Sequence, residues 1–197
     1  QVTEINNLSV ELSPEWSILL PNTNGHRLPL RAFSMKAFYD GSRGLLDIVK
    51  FAADLDGPKV FVTGIVSGLL KDSSISATVN MGMKNLPIRN LQRYWPNNLG
   101  TKAHSWILNN ITDGLIKNIG LEAIFSIQEN HKLKIGLLDG SAKVSGINMK
   151  YLPSMPAVSE VEADIEFDSN QVEINISSGR SQELNLSKGK MQIYGLK

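Results

Sequence analysis

The chain has 197 residues, 42% of them hydrophobic, and a net charge of +1 from 20 basic and 19 acidic groups. That length holds one large or two small domains; the apolar fraction excludes a disordered chain, and interleaved charges without a basic run exclude a nucleic-acid footprint. The absence of cysteine removes disulfides, thiolate metal sites and cysteine nucleophiles, and no stretch approaches the roughly 18–20 apolar residues of a spanning helix. No signal peptide opens the sequence, and Gln1 in place of a methionine suggests an excised fragment whose anchor or export signal lies elsewhere.

In chain order, residues 2–12 read as a strand interrupted by Asn6 and Asn7, and 16–20 as a short apolar piece before the turn-rich 21–25. Residues 28–39 alternate loosely and change phase near Phe33 and Ser34, which predicts a bulge or bend there. Asp40 to Gly44 closes a hairpin, and Asp56, Gly57 and Pro58 form a turn between strands 45–55 and 59–70. The second of these is apolar on both faces, with Phe61, Ile65 and Leu69 on one and Val60, Val62, Val66 and Leu70 on the other. That pattern predicts a central strand. Residues 75–83 continue the series.

Residues 91–118 break it. Pro96 cannot donate to a ladder and biases Trp95 toward extended backbone, so a strand entering through Leu91 and Tyr94 is expected to stop there. A short helix near 102–112 follows, with Thr101 as its cap, Ala103, Trp106, Ile107, Asn110 and Ile111 at helical spacing, and Gly114 as its left-handed stop. Beyond it, Leu121, Ala123, Phe125 and Ile127 alternate with mostly polar neighbours. Residues 133–151 would run about 60 Å unbroken at roughly 3.3 Å per residue, and a hairpin at Asp139 and Gly140 is expected to divide them. The clearest alternation sets Val161, Ala163, Ile165 and Phe167 against Glu162, Asp164, Glu166 and Asp168. After a turn at Ser169 and Asn170 it resumes with Val172, Ile174 and Ile176. Leu184, Leu186, Met191, Ile193 and Leu196 supply the last strands.

The sum is a mainly β chain: one segment spanning 1–197, with ten to twelve strands in meander order, a large antiparallel sheet and one short helix within a corner insert at about 91–118. So little helix cannot cover the apolar side of so many strands. The cover is therefore a second sheet, the same sheet curled into a groove or partly open barrel or sandwich, or a foreign apolar molecule.

Few residues suggest chemistry. His26, His104 and His131 fall on separate elements without a carboxylate at ligand spacing, and are expected at the surface or in loops; no metal, cofactor or acid–base site follows. Gly64 and Gly68 flank a strand segment rather than a phosphate loop. The acidic comb from Glu162 to Asp168 reads as a solvated strand face, with calcium as the alternative. Trp95 and Trp106 read as core side chains, Trp106 and Ile107 plugging the helix against the sheet.

Two motifs add a resemblance. Tyr94-Trp95-Pro96, then Trp106-Ile107, Asn109, Asn110 and Gly114, and further on Tyr151-Leu152-Pro153 with Met155-Pro156-Ala157-Val158, resemble the signature segments of AsmA-like envelope proteins of Gram-negative bacteria, the YhdP type. The likeness runs from about Leu28 onward. It departs from the pattern at His104 and Ser105, where relatives carry an arginine before the helix tryptophan. The resemblance implies a non-enzymatic segment of a periplasmic β groove, anchored in the inner membrane by a part of the parent protein, that conducts phospholipid toward the outer membrane. It further implies that Phe61, Ile65, Leu121, Ala123, Phe125, Ile127, Val161, Ala163, Ile165, Phe167, Val172, Ile174 and Ile176 line the groove and meet acyl chains. Tyr94, Trp95, Pro96, Trp106, Gly114, Tyr151, Pro153 and Pro156 would be structural, and sheet edges would meet neighbouring segments. The rival reading is an envelope scaffold with a self-filled core that binds protein partners through its edge strands.

Overall fold

The structure, a computed structural model, describes residues 7–12, 18–21, 27–70, 74–95, 101–127, 133–151 and 154–195. The strands are β1 (Asn7–Leu12), β2 (Ile18–Pro21), β3 (Arg27–Leu30), β4 (Ala32–Asp40), β5 (Leu45–Asp54), β6 (Lys59–Ser67), β7 (Ile75–Pro87), β8 (Ile111–Ile127), β9 (Leu133–Met149), β10 (Val158–Asp168), β11 (Gln171–Ser181), β12 (Leu184–Leu186) and β13 (Gly189–Tyr194). The helices are α1 (Leu91–Tyr94), preceded by a 3-10 turn at Ile88–Asn90, and α2 (Thr101–Asn110). Eleven strands form one antiparallel sheet in the order β1-β4-β5-β6-β7-β8-β9-β10-β11-β12, with β13 also on β11; it does not close into a barrel. The other sheet among the described residues is the two-stranded β2-β3. From β4 to β12 the order is the meander expected from the sequence, and β13 departs from it by pairing with β11.

Local chemistry fixes the turns. The Asp40 carboxylate accepts from Ser42 N–H (3.0 Å), Ser42 Oγ (2.7 Å) and Arg43 Nε (2.6 Å), closing the β4–β5 hairpin. The Ser42 bonds and then Arg43 pull its pKa down to about 2. At the β5–β6 turn, Leu55 N–H donates to the Pro58 carbonyl at 2.9 Å and Asp54 accepts from Asp56 N–H at 3.0 Å, with Arg31 ion-paired to Asp56.

Four expectations change. The bulge lies opposite Lys36 and Ala37 rather than at Phe33: the register jumps from Lys50 to Ile48, leaving Val49 as the extra residue of β5. Leu91 to Tyr94 is helical, because β7 has already ended at Pro87, after Asn85 takes a positive φ of 59° and breaks the pleat. Residues 133–149 form one strand: Asp139 and Gly140 do not turn, and β9 runs through them as one strand between β8 and β10. The helix stops at Asn110, and β8 starts at Ile111 with Gly114 inside it at φ 136°.

Gly114 is required for a different reason than capping. A Cβ there would collide with Ile147 Cδ1 and lie 2.9 Å from its Cα, in a backbone region that side chains avoid. Gly114→Ala is expected to cost about 1–3 kcal/mol, read as a lower thermal midpoint.

The chain divides into two compact units, each holding parts of β7, β8 and β9: Gln1–Ile18, Pro29–Gly82 and Gly120–Asp139 in the first, Leu19–Leu28, Met83–Ile119 and Gly140–Lys197 in the second. Unit 2 has a core of Leu86, Ile88, Leu91, Ile116, Val144, Ile147, Val158, Val161 and Ala163. Arg89 braces it, donating to both oxygens of Asp113 at the start of β8, at 3.1 and 2.5 Å. That pair and the Gly114 N–H hold the Asp113 pKa below its usual value. In unit 1 the buried apolar side chains among the described residues are Leu30, Ala37, Ala53, Leu55 and Ala123, three of them alanines.

Candidate functional site

In unit 1 the strand register assigns the faces, since paired residues point the same way. Met35 faces Phe51, which faces Val62; Ala37 faces Ile48, which faces Gly64; Tyr39 faces Leu46, which faces Val66. Phe33, Ala53 and Val60 make a further row, with the Phe33 and Phe51 rings stacked at 6.3 Å. This face carries no charged group over three strands. Apart from the buried Ala37 and Ala53, its side chains are half-buried.

The opposite face is mixed. It presents Lys36 against Lys50, Phe38 against Asp47, Asp47 against Ile65, Ala52 against Phe61, and Asp54 against Lys59. Phe61 and Ile65 therefore lie on this polar face, 42% and 48% exposed. The continuous apolar wall of β6 is the other one, through Val60, Val62 and Val66. A shallow, open depression of about 340 Å³ marks the bulge, lined by Asp47, Ile48, Val49, Thr63, Gly64, Ile65, Thr78 and Asn80. On β8, Ala123 is buried, Leu121 and Phe125 are half-buried and Ile127 is 39% exposed, whereas Glu122 and Ile124 on the alternate side are exposed. Eleven of the fourteen exposed large hydrophobic side chains described belong to unit 1.

Unit 2 treats its apolar face differently. Ala163 pairs with Ile176, Ile165 with Ile174 and Phe167 with Val172, and β13 extends the last two rows with Met191 and Ile193. Val161 and Ala163 belong to the buried core, and Ile165, Ile174 and Ile176 pack against it. The cover is the chain itself: Ile88 and Leu91 are core members, and Tyr94, Trp95, Ile107 and Tyr151 pack on them. The two sequence motifs thus meet at one core. Trp106 is half-buried and is not among the side chains packed on that core; its carbonyl accepts from Asn110 Nδ2 at 2.8 Å. Tyr151 reaches Met155 Sδ at 2.9 Å, and Pro156 is exposed. Pro96 and Pro153 lie outside the described residues.

The histidine expectation also changes. His104 is buried on α2, 8% exposed, its ring 5.5 Å from that of Trp95 and its Nε2 without a hydrogen-bond partner. His26 and His131 lie outside the described residues. The acidic comb faces solvent among lysines: Lys117 reaches Glu162 at 3.0 Å and Lys143 reaches Asp164 at 3.3 Å. On β11, Glu173 accepts from Lys190, Gln192 and Asn175, in that order of effect, which pulls its pKa down to about 2. Among the described residues no three histidine, aspartate or glutamate side chains converge on a metal-sized site, and no helix is long and apolar enough to cross a membrane.

A family model described as YhdP protein matches residues 54–197, a span that holds both motifs and every strand from β6 onward. The chain belongs to the YhdP family. It is thereby a piece of an AsmA-like envelope protein. The match begins at Asp54, so the β4–β5 hairpin precedes it. No curated protein and no solved structure matches the chain. Sequence reasoning did not assemble the apolar wall of Met35, Phe51 and Val62 with their neighbours in this YhdP-family chain. The extra residue Val49 reverses the phase of β5, and only the register reveals which alternate set continues across the strands.

Proposed function

We propose that this YhdP-family chain is a non-enzymatic lipid-conducting segment, lying in the periplasm within a parent protein anchored in the inner membrane and passing phospholipid between inner and outer membranes. The observation that carries this reading is the continuous, uncharged apolar face of unit 1. A half-buried wall of Met35, Tyr39, Leu46, Ile48, Phe51 and Val62, without a charged side chain over three strands, is hydrocarbon-compatible surface along which an acyl chain fits. An acyl chain needs such shelter: at about 0.8 kcal/mol per methylene, a chain of ~16 carbons gains ~13 kcal/mol by leaving water. A wall without charged groups holds that chain nearly equally well at successive positions, so movement is sliding without bond chemistry. The partners are phospholipid acyl chains, with the outer edges of β1 and β13 available to neighbouring segments of the same protein.

The scaffold reading has support in unit 2, where the chain fills its own core. Mass spectrometry of organic extracts from folded, detergent-free protein separates the two. Co-purified phospholipid is the expected result; a clean extract favours the scaffold.

A further inference from the structure

We infer that the mixed face of unit 1 pairs with the same face of a second copy of this chain. That face is self-complementary about the bulge. Asp47 lies on one side of Val49 and Lys50 on the other, and both belong to the mixed face. Because β4 spans the same interval in two residues, Lys36 to Phe38, the two charged positions lie about 7 Å apart at roughly 3.3 Å per residue. Lys36 stands opposite Lys50, and Phe38 opposite Asp47. A two-fold axis that lies in the interface and crosses the strands at Val49 therefore sets Asp47 over Lys50 of the second copy and Phe38 over Lys36 of that copy, and does so twice. Stacked sheets lie about 10 Å apart, a gap that a lysine and an aspartate side chain bridge together.

Within one copy the face is electrostatically incomplete. Lys50 has Lys36 as its cross-strand neighbour on β4, and like charges directly opposite each other cost stability. The register sets Glu11 of β1 opposite Lys36 but no carboxylate opposite Lys50. Among the described residues neither lysine has an ion pair, and nor does Asp47. Lys36 Nζ lies 5.9 Å from the centre of the Phe38 ring of its own copy, and a second lysine would reach that ring across the interface. Around these charges Phe38 and Val49 are each 43% exposed, and Ile65, opposite Asp47 on β6, is also exposed. Apolar groups interleaved with an unpaired acid and an unpaired base fit a surface that carries the same pattern reversed. A second copy supplies it, whereas an anionic lipid surface would set Asp47 against like charge. The contact uses the side of the sheet away from the wall of Met35, Phe51 and Val62, so it is independent of the lipid-conducting reading.

A patch three strands wide is smaller than the roughly 800 Å² per partner of a tight complex, so the expected dimer is weak, with a dissociation constant of about 10–100 µM. Sedimentation equilibrium of the 197-residue chain from about 5 to about 500 µM should show a monomer–dimer equilibrium. Asp47→Lys and Lys50→Asp each bring like charges together across the axis, and each should weaken association about tenfold or more. An equimolar mixture of the two variants should restore it, because each then carries the charge that the other needs. The chain with both substitutions should associate as the unaltered protein does, and circular dichroism confirms that all three variants fold. A chain that stays monomeric over the whole range overturns the inference. So does a dimer that neither single substitution weakens, which would place the contact elsewhere. A mixture of folded variants that associates no better than either alone overturns it as well.

Discussion

Replacing Leu86 with alanine is expected to destabilise unit 2 by about 2–5 kcal/mol, because the side chain is 2% exposed and its removal leaves a cavity that a rigid sheet and two short helices cannot collapse. Leu46→Ala in unit 1 should lose much less. Leu46 is half-exposed and not part of a buried core cluster, so truncation there removes surface rather than filling from a core. Urea unfolding of the two variants followed by circular dichroism, with hydrogen exchange to place the loss in one unit, checks the contrast. Equal losses would mean that unit 1 owns a packed core like that of unit 2, and its wall would need no guest.

The second large effect concerns two consecutive residues of β6. Val62 points to the apolar wall and Phe61 to the mixed face. Val62→Asp should reduce co-purified phospholipid about tenfold or more, since a carboxylate on the wall must either be desolvated against hydrocarbon or hold water where the chain lies. Phe61→Asp, on a face already carrying Asp47 and Lys59, should leave the lipid content near that of the unaltered protein. Circular dichroism confirms that both variants fold. If Phe61→Asp removed lipid and Val62→Asp did not, the binding face would be the one that the isolated alternation suggested.

The two faces of β6 show where the sequence was readable and where it was not. Half-buried antiparallel strands with clean alternation, such as Val161 to Phe167 against Val172 to Ile176, announced both their pairing and their apolar side. So did turns with their own hydrogen-bond chemistry, at Asp40 and at Asp56 to Pro58. Strand β6 is apolar on both faces, so its neighbours alone decide which face matters, and β5 hides the answer behind the bulge at Val49. Gly140 resembled a turn because Asp-Gly favours one, yet β9 runs through it as one strand between β8 and β10. His104 looked like a surface residue for want of any ligand nearby; burial against Trp95 is a tertiary fact with no local signal. Tyr94, Trp95 and Tyr151, singled out by their motifs, are partly buried and pack against the core of unit 2.

The same contrast separates the roles of the units. Unit 2 spends its large aliphatic residues on itself, whereas unit 1 keeps most of the exposed large hydrophobics and buries chiefly alanine. On the proposed lipid-conducting reading, the core of unit 2 keeps the segment folded whether or not lipid is present.

Photocrosslinking in cells tests this most directly. A benzophenone amino acid placed at Phe51 or Val62 on the wall, and at Phe61 or Thr63 on the opposite face, reports what touches each side during growth. The account predicts phospholipid adducts from positions 51 and 62 and none from 61 and 63. Protein adducts alone at 51 and 62, or lipid adducts of equal yield on both faces, would contradict it.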